Sequence, residues 1–341
     1  MTPGTAVEED GGIVMERRRA LSAGLCAAAL WAGDTTPALA SGLGQRLADG
    51  ELSAAHGLFA AGRYDRLHQV LPGMVTRASA SERTGPVNAS RAAGVWVLAS
   101  QLAVKEGDVD TAAAFAVRAG TAARRSGHPV ILAAAARAAA TPLRRTGRPD
   151  TALQLLQEAH EELNAGPRPS ADVLDASGMV ALTAAYTAAQ ARMPSAAEQF
   201  ASLAEQTTAR LLRDRGRVPA GGELSPAQCM LFRIGIHQKL GDVDRALAYA
   251  AGLEPAVLPT PERRARAATD TARALLAAGD APTAFLQLQL VERSAPQEAR
   301  RPSVRALTAE IAARRPDLPG VTAFARRTTS PAESPPRPRR A

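Results

Sequence analysis

Two lysines, five arginines and three glutamines are the residues of this chain whose types and spacing could do chemistry. They fall 13, 10, 6, 3 or 2 residues before a glycine that recurs at positions 107, 147, 241 and 279. The first glycine is preceded by Gln101 and Lys105, and the second by Arg137, Arg144 and Arg145. Gln228, Gln238 and Lys239 precede the third, and Arg266 and Arg273 the fourth. None of these ten is acidic. Guanidinium, ammonium and amide groups all donate to carboxylate and phosphate oxygens, so a surface built from them suits an acidic peptide, a carboxylate or a small phosphorylated signal. The competing reading is that they are ordinary exposed residues of an arginine-rich chain. The net charge is +8, and Lys105 and Lys239 are the only lysines. Aromatics make up 3% of the residues and no basic block carries interleaved aromatics, which argues against a nucleic-acid face.

Little else in the chain has the spacing of a reactive centre. His56, His68, His128, His160 and His237 are scattered, and His160-Glu161-Glu162 is not the H-E-x-x-H pair of a zinc helix. Gly42-Leu43-Gly44 lacks the third glycine of a dinucleotide loop, and no serine sits in a G-x-S-x-G elbow. Glu158, Glu161 and Glu162 read as a solvated helix face. Cys26 and Cys229 form neither a C-x-x-C pair nor part of a metal site, and Cys229 reads as a small buried apolar residue. The expectation is a non-catalytic chain with no cofactor and no metal.

The elements that would position the basic set are helices. Apolar residues are 46% of the chain, dominated by alanine and leucine, which favour helix, and strictly alternating β-branched runs are missing. Lys239-Leu240-Gly241-Asp242-Val243-Asp244-Arg245-Ala246 reads as the bend of a helical hairpin. A glycine closes one helix in the left-handed conformation, a polar residue caps the next, and a small residue sits where the two cross. Related bends at Gly62, Gly107, Gly147, Ala191 and Gly279 make six, spaced 38 to 50 residues apart. Positions five, nine and twelve after each bend fall on one face of the second helix. The fold class is therefore all-α: a right-handed superhelical stack of about six antiparallel helix pairs, a tetratricopeptide-like α-solenoid with longer loops. In such stacks the first helix of each pair lines the concave surface, and that phase selects the ten residues named above. Charge reversal of Arg137, Arg144 and Arg273 together is expected to abolish binding without unfolding the stack.

The repeat domain spans 41–327. Before it, 1–40 combines an acidic leader with an arginine start, Arg17-Arg18-Arg19, and the apolar run Ala20 to Ala32. This is a linker helix or a signal-like export segment over 15–40. Arg213 to Pro226 reads as the longest loop, Val304 to Arg314 as a capping helix, and 328–341 as a disordered Pro/Arg tail. No stretch is long and apolar enough to span a bilayer, so no membrane contact is expected.

The chain resembles the tetratricopeptide-like C-terminal region of actinobacterial helix-turn-helix regulators of the xenobiotic-response-element (XRE, Cro/lambda-repressor) type. The stretches that carry the resemblance are Arg17-Arg18-Arg19-Ala20-Leu21, Leu71-Pro72, Leu240 to Leu247, Leu258-Pro259-Thr260-Pro261-Glu262, Asp270-Thr271-Ala272-Arg273-Ala274 and Glu292-Arg293-Ser294-Ala295-Pro296-Gln297-Glu298. It implies a cytoplasmic sensing or protein-binding module that can pair with a second copy. Only fourteen residues precede Met15, where the arginine-rich start begins, against the roughly 60 that a helix-turn-helix domain needs. DNA binding is therefore not carried over, and a regulator truncated at its start or an exported binding protein stand as alternatives.

Overall fold

The computed structural model describes residues 47–166, 169–215 and 222–329. Their regular elements are all helices. The first six are α1 (Asp49–Ala60), α2 (Tyr64–Ser81), α3 (Pro86–Glu106), α4 (Val109–Ser126), α5 (Pro129–Arg145) and α6 (Pro149–Asn164). Next come α7 (Ala171–Gln190), α8 (Pro194–Arg215), α9 (Pro226–Leu240), α10 (Val243–Gly252), α11 (Pro261–Ala277) and α12 (Ala281–Ser294). The single-turn α13 (Pro296–Ala299), α14 (Pro302–Arg314) and α15 (Val321–Thr329) end the series. The expected all-α class holds for these residues. Segment 15–40, Cys26 and the tail from residue 330 lie outside them.

Local chemistry sets the helix ends. Proline opens α3, α5, α6, α8, α9 and α11, where a missing N–H costs nothing. Asp108, Asp242 and Asp280 each accept a hydrogen bond from the backbone N–H three residues on, capping α4, α10 and α12. Every expected bend then closes with one pattern: the N–H after the bend residue bonds the carbonyl five residues back. The pairs are Arg63 to Leu58, Asp108 to Ala103, Arg148 to Leu143, Met193 to Ala188, Asp242 to His237 and Asp280 to Leu275.

The fourth bend corrects the sequence reading by one residue. The left-handed conformation falls on Arg192 (φ 61°), not Ala191. Counting from Arg192, the buried positions are Ala197, Ala201 and Ala204, each 0% exposed, rather than the expected Ala196, Phe200 and Leu203. The other bends keep their phase: Leu67 and Leu71 after Gly62, and Ala284, Leu288 and Val291 after Gly279, are fully buried. A seventh bend went unread, with Gly320 (φ 82°) joining α14 to α15. The end of the chain is thus another short pair, and Thr328, expected in the tail, is buried in α15.

The first helices of the pairs lie side by side, α1 on α3 and so on through α5, α7, α9 and α11, and α11 packs back onto α1. Six inner helices therefore form a closed ring, each with its even-numbered partner packed against it. Small side chains permit this. In α7, Ala181, Ala184, Ala185, Ala188 and Ala189 are buried with little exposed face left, as befits a helix packed on several sides. At the closure, a β-carbon on Gly62 would lie 2.8 Å from that of Ala295, and Pro302 packs on Gly107. The described end of the expected surface loop is docked: Leu224 is 0% exposed beside Gly178, and its N–H donates to Asp175 Oδ1 at 2.8 Å.

The bends carry a stability test. Gly241→Ala forces a side chain into left-handed backbone and should cost about 1–2 kcal/mol. Arg192→Gly relieves the same strain at the fourth bend and should gain up to about 1 kcal/mol after glycine's entropy cost. Urea unfolding followed by helicity measures both, and equal midpoints for the two variants would refute a shared bend geometry.

Candidate functional site

The ring of inner helices surrounds a half-open cavity of about 430 Å³. Every inner helix contributes to it: Phe59 from α1; Gln101 and Lys105 from α3; Arg137, Thr141, Arg144 and Arg145 from α5; Thr183, Tyr186 and Gln190 from α7; Phe232 and Lys239 from α9. Glu262, Arg263, Arg266, Asp270 and Arg273 come from α11, and Arg301 and Ser303 from the start of α14. Side chains three or four apart share a helix face, and the ends of α3 and α5 present their residues six, three and two before the bend to the cavity: Gln101, Val104 and Lys105, and Thr141, Arg144 and Arg145.

The structure brings eight of the ten sequence-selected residues into this lining: Gln101, Lys105, Arg137, Arg144, Arg145, Lys239, Arg266 and Arg273. Gln228 and Gln238 are not among them. Gln228 is 1% exposed in the first turn of α9, with its Nε2 lacking an acceptor. Gln238 is half-buried away from the lining. The helix presents Phe232 and Gly235 to the centre instead. A β-carbon on Gly235 would lie 3.0 Å from the Tyr186 ring and 3.3 Å from Asp270 Oδ2, so the missing side chain is what admits them.

The expected acid-free surface is not what forms. Lys105 is buried in contact with Glu262 and bonds Glu298 Oε1 at 2.8 Å. Glu298 also takes the Tyr64 hydroxyl and, through Oε2, Arg301 at 2.8 Å. The backbone N–H of Asp65 donates to Gln297 Oε1 at 3.0 Å. These contacts join the first two helix pairs to the last. On the next stretch of wall, Glu223 receives Arg137 at 2.8 Å and Arg263 at 3.2 Å, and Asp270 receives Arg273 at 2.7 Å with Arg266 at 3.7 Å.

Three cations remain. Arg144 bonds only hydroxyls, Thr187 and Thr141 at 2.9 Å, and lies 5.3 Å from the Tyr186 ring centre. Arg145 reaches the carbonyl of Val104 at 3.4 Å. Among the described residues, neither these two nor Lys239 has a carboxylate within ion-pair distance. Arg266 stacks 4.2 Å over Phe232 while sharing its single carboxylate with Arg273.

The charge states follow. Burial pushes the Arg144 guanidinium down to about 10; Tyr186 opposes this, and Arg266 and Arg145 add their repulsion. Burial and Arg301 lower Arg145 in the same sense, and burial outweighs Asp270 at Arg266. A guanidinium stays protonated at physiological pH, so the depression reflects first the loss of water around these groups and second the repulsion between them, not deprotonation. The opposite holds at the ring closure. Burial alone would raise Glu262 and Glu298, but Lys105 with Arg263 and Arg301 holds both below the ordinary carboxylate range.

The other groups weighed from the sequence lie elsewhere. Cys229 is a buried free thiol 3.4 Å from Thr208 Oγ1. Ser177 Oγ lies 3.1 Å from His160 Nδ1, but Ser177 is buried and neither residue lines the cavity. Among the described residues, no cluster of His, Cys, Asp or Glu could hold a metal ion, and no helix is long and apolar enough to cross a membrane.

Sequence reasoning missed Glu223, Glu262, Asp270 and Glu298, and with them the reason Arg137 and Arg273 are held in place. One signal was readable: Arg266, Asp270 and Arg273 recur at helical spacing on one face of α11. Reading the fourth bend at Arg192 would have added Tyr186 and Gln190, six and two residues before it. The triple charge reversal that includes Arg137 and Arg273 is now expected to break ion pairs with Glu223 and Asp270. It would perturb the fold as well as any binding.

Removing Glu298 tests the closure. Glu298→Ala leaves Lys105 buried without one of its two carboxylates and should cost about 3–5 kcal/mol, most of it at the junction of the chain's ends. Small-angle scattering should show a larger radius of gyration at unchanged helicity; an unchanged radius would refute the closure. Because Glu262 and Glu298 have lowered values in the folded chain, their contribution is complete above the unfolded value of about 4.3 and is lost as pH falls through the folded values. The wild-type radius should therefore stay constant from pH 7 to about 4.5 and rise only in stronger acid. A rise beginning between pH 7 and 5 would contradict this assignment.

Compared with known proteins, the chain matches no protein-family model and no curated protein.

Proposed function

We propose that this protein is a non-catalytic helical repeat module that binds an anionic partner or signal in its central basic cavity. The observation that carries the reading is the trio Arg144, Arg145 and Lys239, which line one cavity and, among the described residues, have no carboxylate within ion-pair distance. A chain that needed these cations only for solubility would leave them in water, where charge costs little. Here Arg144 is half-buried beside the exposed Arg145, and Arg266 and Arg145 add to the lowering that burial imposes on it. An arriving anion would be met by charge-assisted, fork-shaped donors.

On this reading the protein works as the sensing half of a regulator similar to the XRE type, in the cytoplasm, without touching DNA itself. The resemblance of its sequence and its paired-helix architecture support that role. Its output would be a change in the ring that a second protein, or a second copy, detects.

The test is ligand-linked stability. An anion that binds only the folded chain raises its stability by about 2.7 kcal/mol at 100 times its dissociation constant. Inorganic phosphate and pentaglutamate, added at constant ionic strength, should give a saturable rise in the unfolding midpoint of the wild type. Arg144→Leu should abolish the rise while leaving the unliganded midpoint unchanged or higher, because it removes a buried, repelled charge. Identical responses of the two proteins would sink the reading.

A further inference from the structure

We infer that the occupant of the cavity is a small phosphorylated polyhydroxy compound, of the sugar-phosphate class, rather than a peptide. This inference rests on the anion-binding reading and narrows it.

The first argument is closure. Helix α11 packs against α1, and Tyr64 and Lys105 hold Glu298 across the junction, so the concave face is a ring and not an open groove. Its cavity of about 430 Å³ lies in the lower part of the roughly 300–1,000 Å³ range of small-ligand sites. Peptides that dock on repeat proteins lie along extended concave surfaces, and a closed ring offers none.

The second argument is charge. Among the described residues, Arg144, Arg145 and Lys239 have no carboxylate within ion-pair distance, and Arg266 and Arg273 share Asp270 alone. One carboxylate on a ligand would leave this wall strongly positive. A phosphate monoester brings nearly two negative charges and three acceptor oxygens, matching several guanidinium forks at once. Two further donors point the same way: Arg137 and Arg301 line the cavity and each keeps a buried Nε–H without an acceptor.

The third argument is the rest of the lining. Of its 22 residues only Phe59, Val104, Ala138 and Phe232 are apolar. The faces of Phe232 and Tyr186 are already engaged by Arg266 and Arg144. The lining surface is about equally polar and apolar, and Gln101, Gln190, Thr141 and Thr269 offer donors and acceptors for hydroxyl groups.

The experiment is calorimetric titration of the full chain at fixed ionic strength. The probes are glucose 6-phosphate, ribose 5-phosphate and fructose 1,6-bisphosphate, with unphosphorylated glucose, inorganic phosphate and pentaglutamate for comparison. At least one sugar phosphate should bind at least about tenfold more tightly than inorganic phosphate, the hydroxylated body adding one or more charge-assisted or neutral hydrogen bonds. Glucose should not bind. Lys239→Met, at a half-buried position where folding is not at risk, should weaken the sugar phosphate about tenfold or more, the value of one charge-assisted bond. Arg144→Lys should weaken it too, since it keeps charge and loses the fork. Binding of pentaglutamate in preference to all three sugar phosphates would overturn the inference and leave the anion-binding reading standing. Binding of inorganic phosphate with no gain from any sugar body would do the same. No heat from any anion would end both.

Discussion

Lys105 is held between Glu262 and Glu298, and the rest of the architecture depends on that contact. An ammonium with two carboxylates in a buried site is stable only while the set is complete, because each charge has lost its water. Tyr64 and Arg301 complete it around Glu298, and Arg263 does so around Glu262. The participants come from the second, third, eleventh, thirteenth and fourteenth helical segments of the chain. Such a network contributes less to net stability than an apolar core of the same volume, but it selects one arrangement. A slip of the last pairs relative to the first would leave buried charges without partners.

That closure also decides the character of the cavity. It draws in the carboxylates of α11 and α13, so one wall is balanced internally. At the ends of α5 and α9, Arg144, Arg145 and Lys239 have no carboxylate within ion-pair distance among the described residues. These cations line the cavity, and burial, with repulsion from neighbouring arginines added, lowers Arg144 and Arg145. Alanine allows this geometry at a small radius. Inner helices lined with leucine or phenylalanine would stand farther apart, and the cavity would open into a groove.

Much of this was legible before any coordinates. The repeated bend follows from backbone rules: a residue in the left-handed conformation, the bond spanning five residues, and a capping aspartate. Glycine announced it at 62, 107, 147, 241 and 279. At the fourth bend the left-handed residue is an arginine, so composition pointed one position too early and the buried face of α8 was read out of phase by one. The bend at Gly320 was hidden because the flanking helices are short and lack the spacing of the others. Gln228 and Gln238 were placed by the same phase rule and missed the centre, because α9 turns a glycine toward Tyr186 and Asp270.

The sequence by itself determined the helix pairs and which face of each inner helix carries its cations, since both depend on spacings within one helix or one turn. It could not show that α11 returns to α1, because that contact joins residues some two hundred positions apart through the sum of many small helix-to-helix rotations. Only the tertiary structure therefore decided which arginines have carboxylate partners. Arg137 and Arg273 are committed to Glu223 and Asp270, while Arg144, Arg145 and Lys239 are left to face whatever enters the ring.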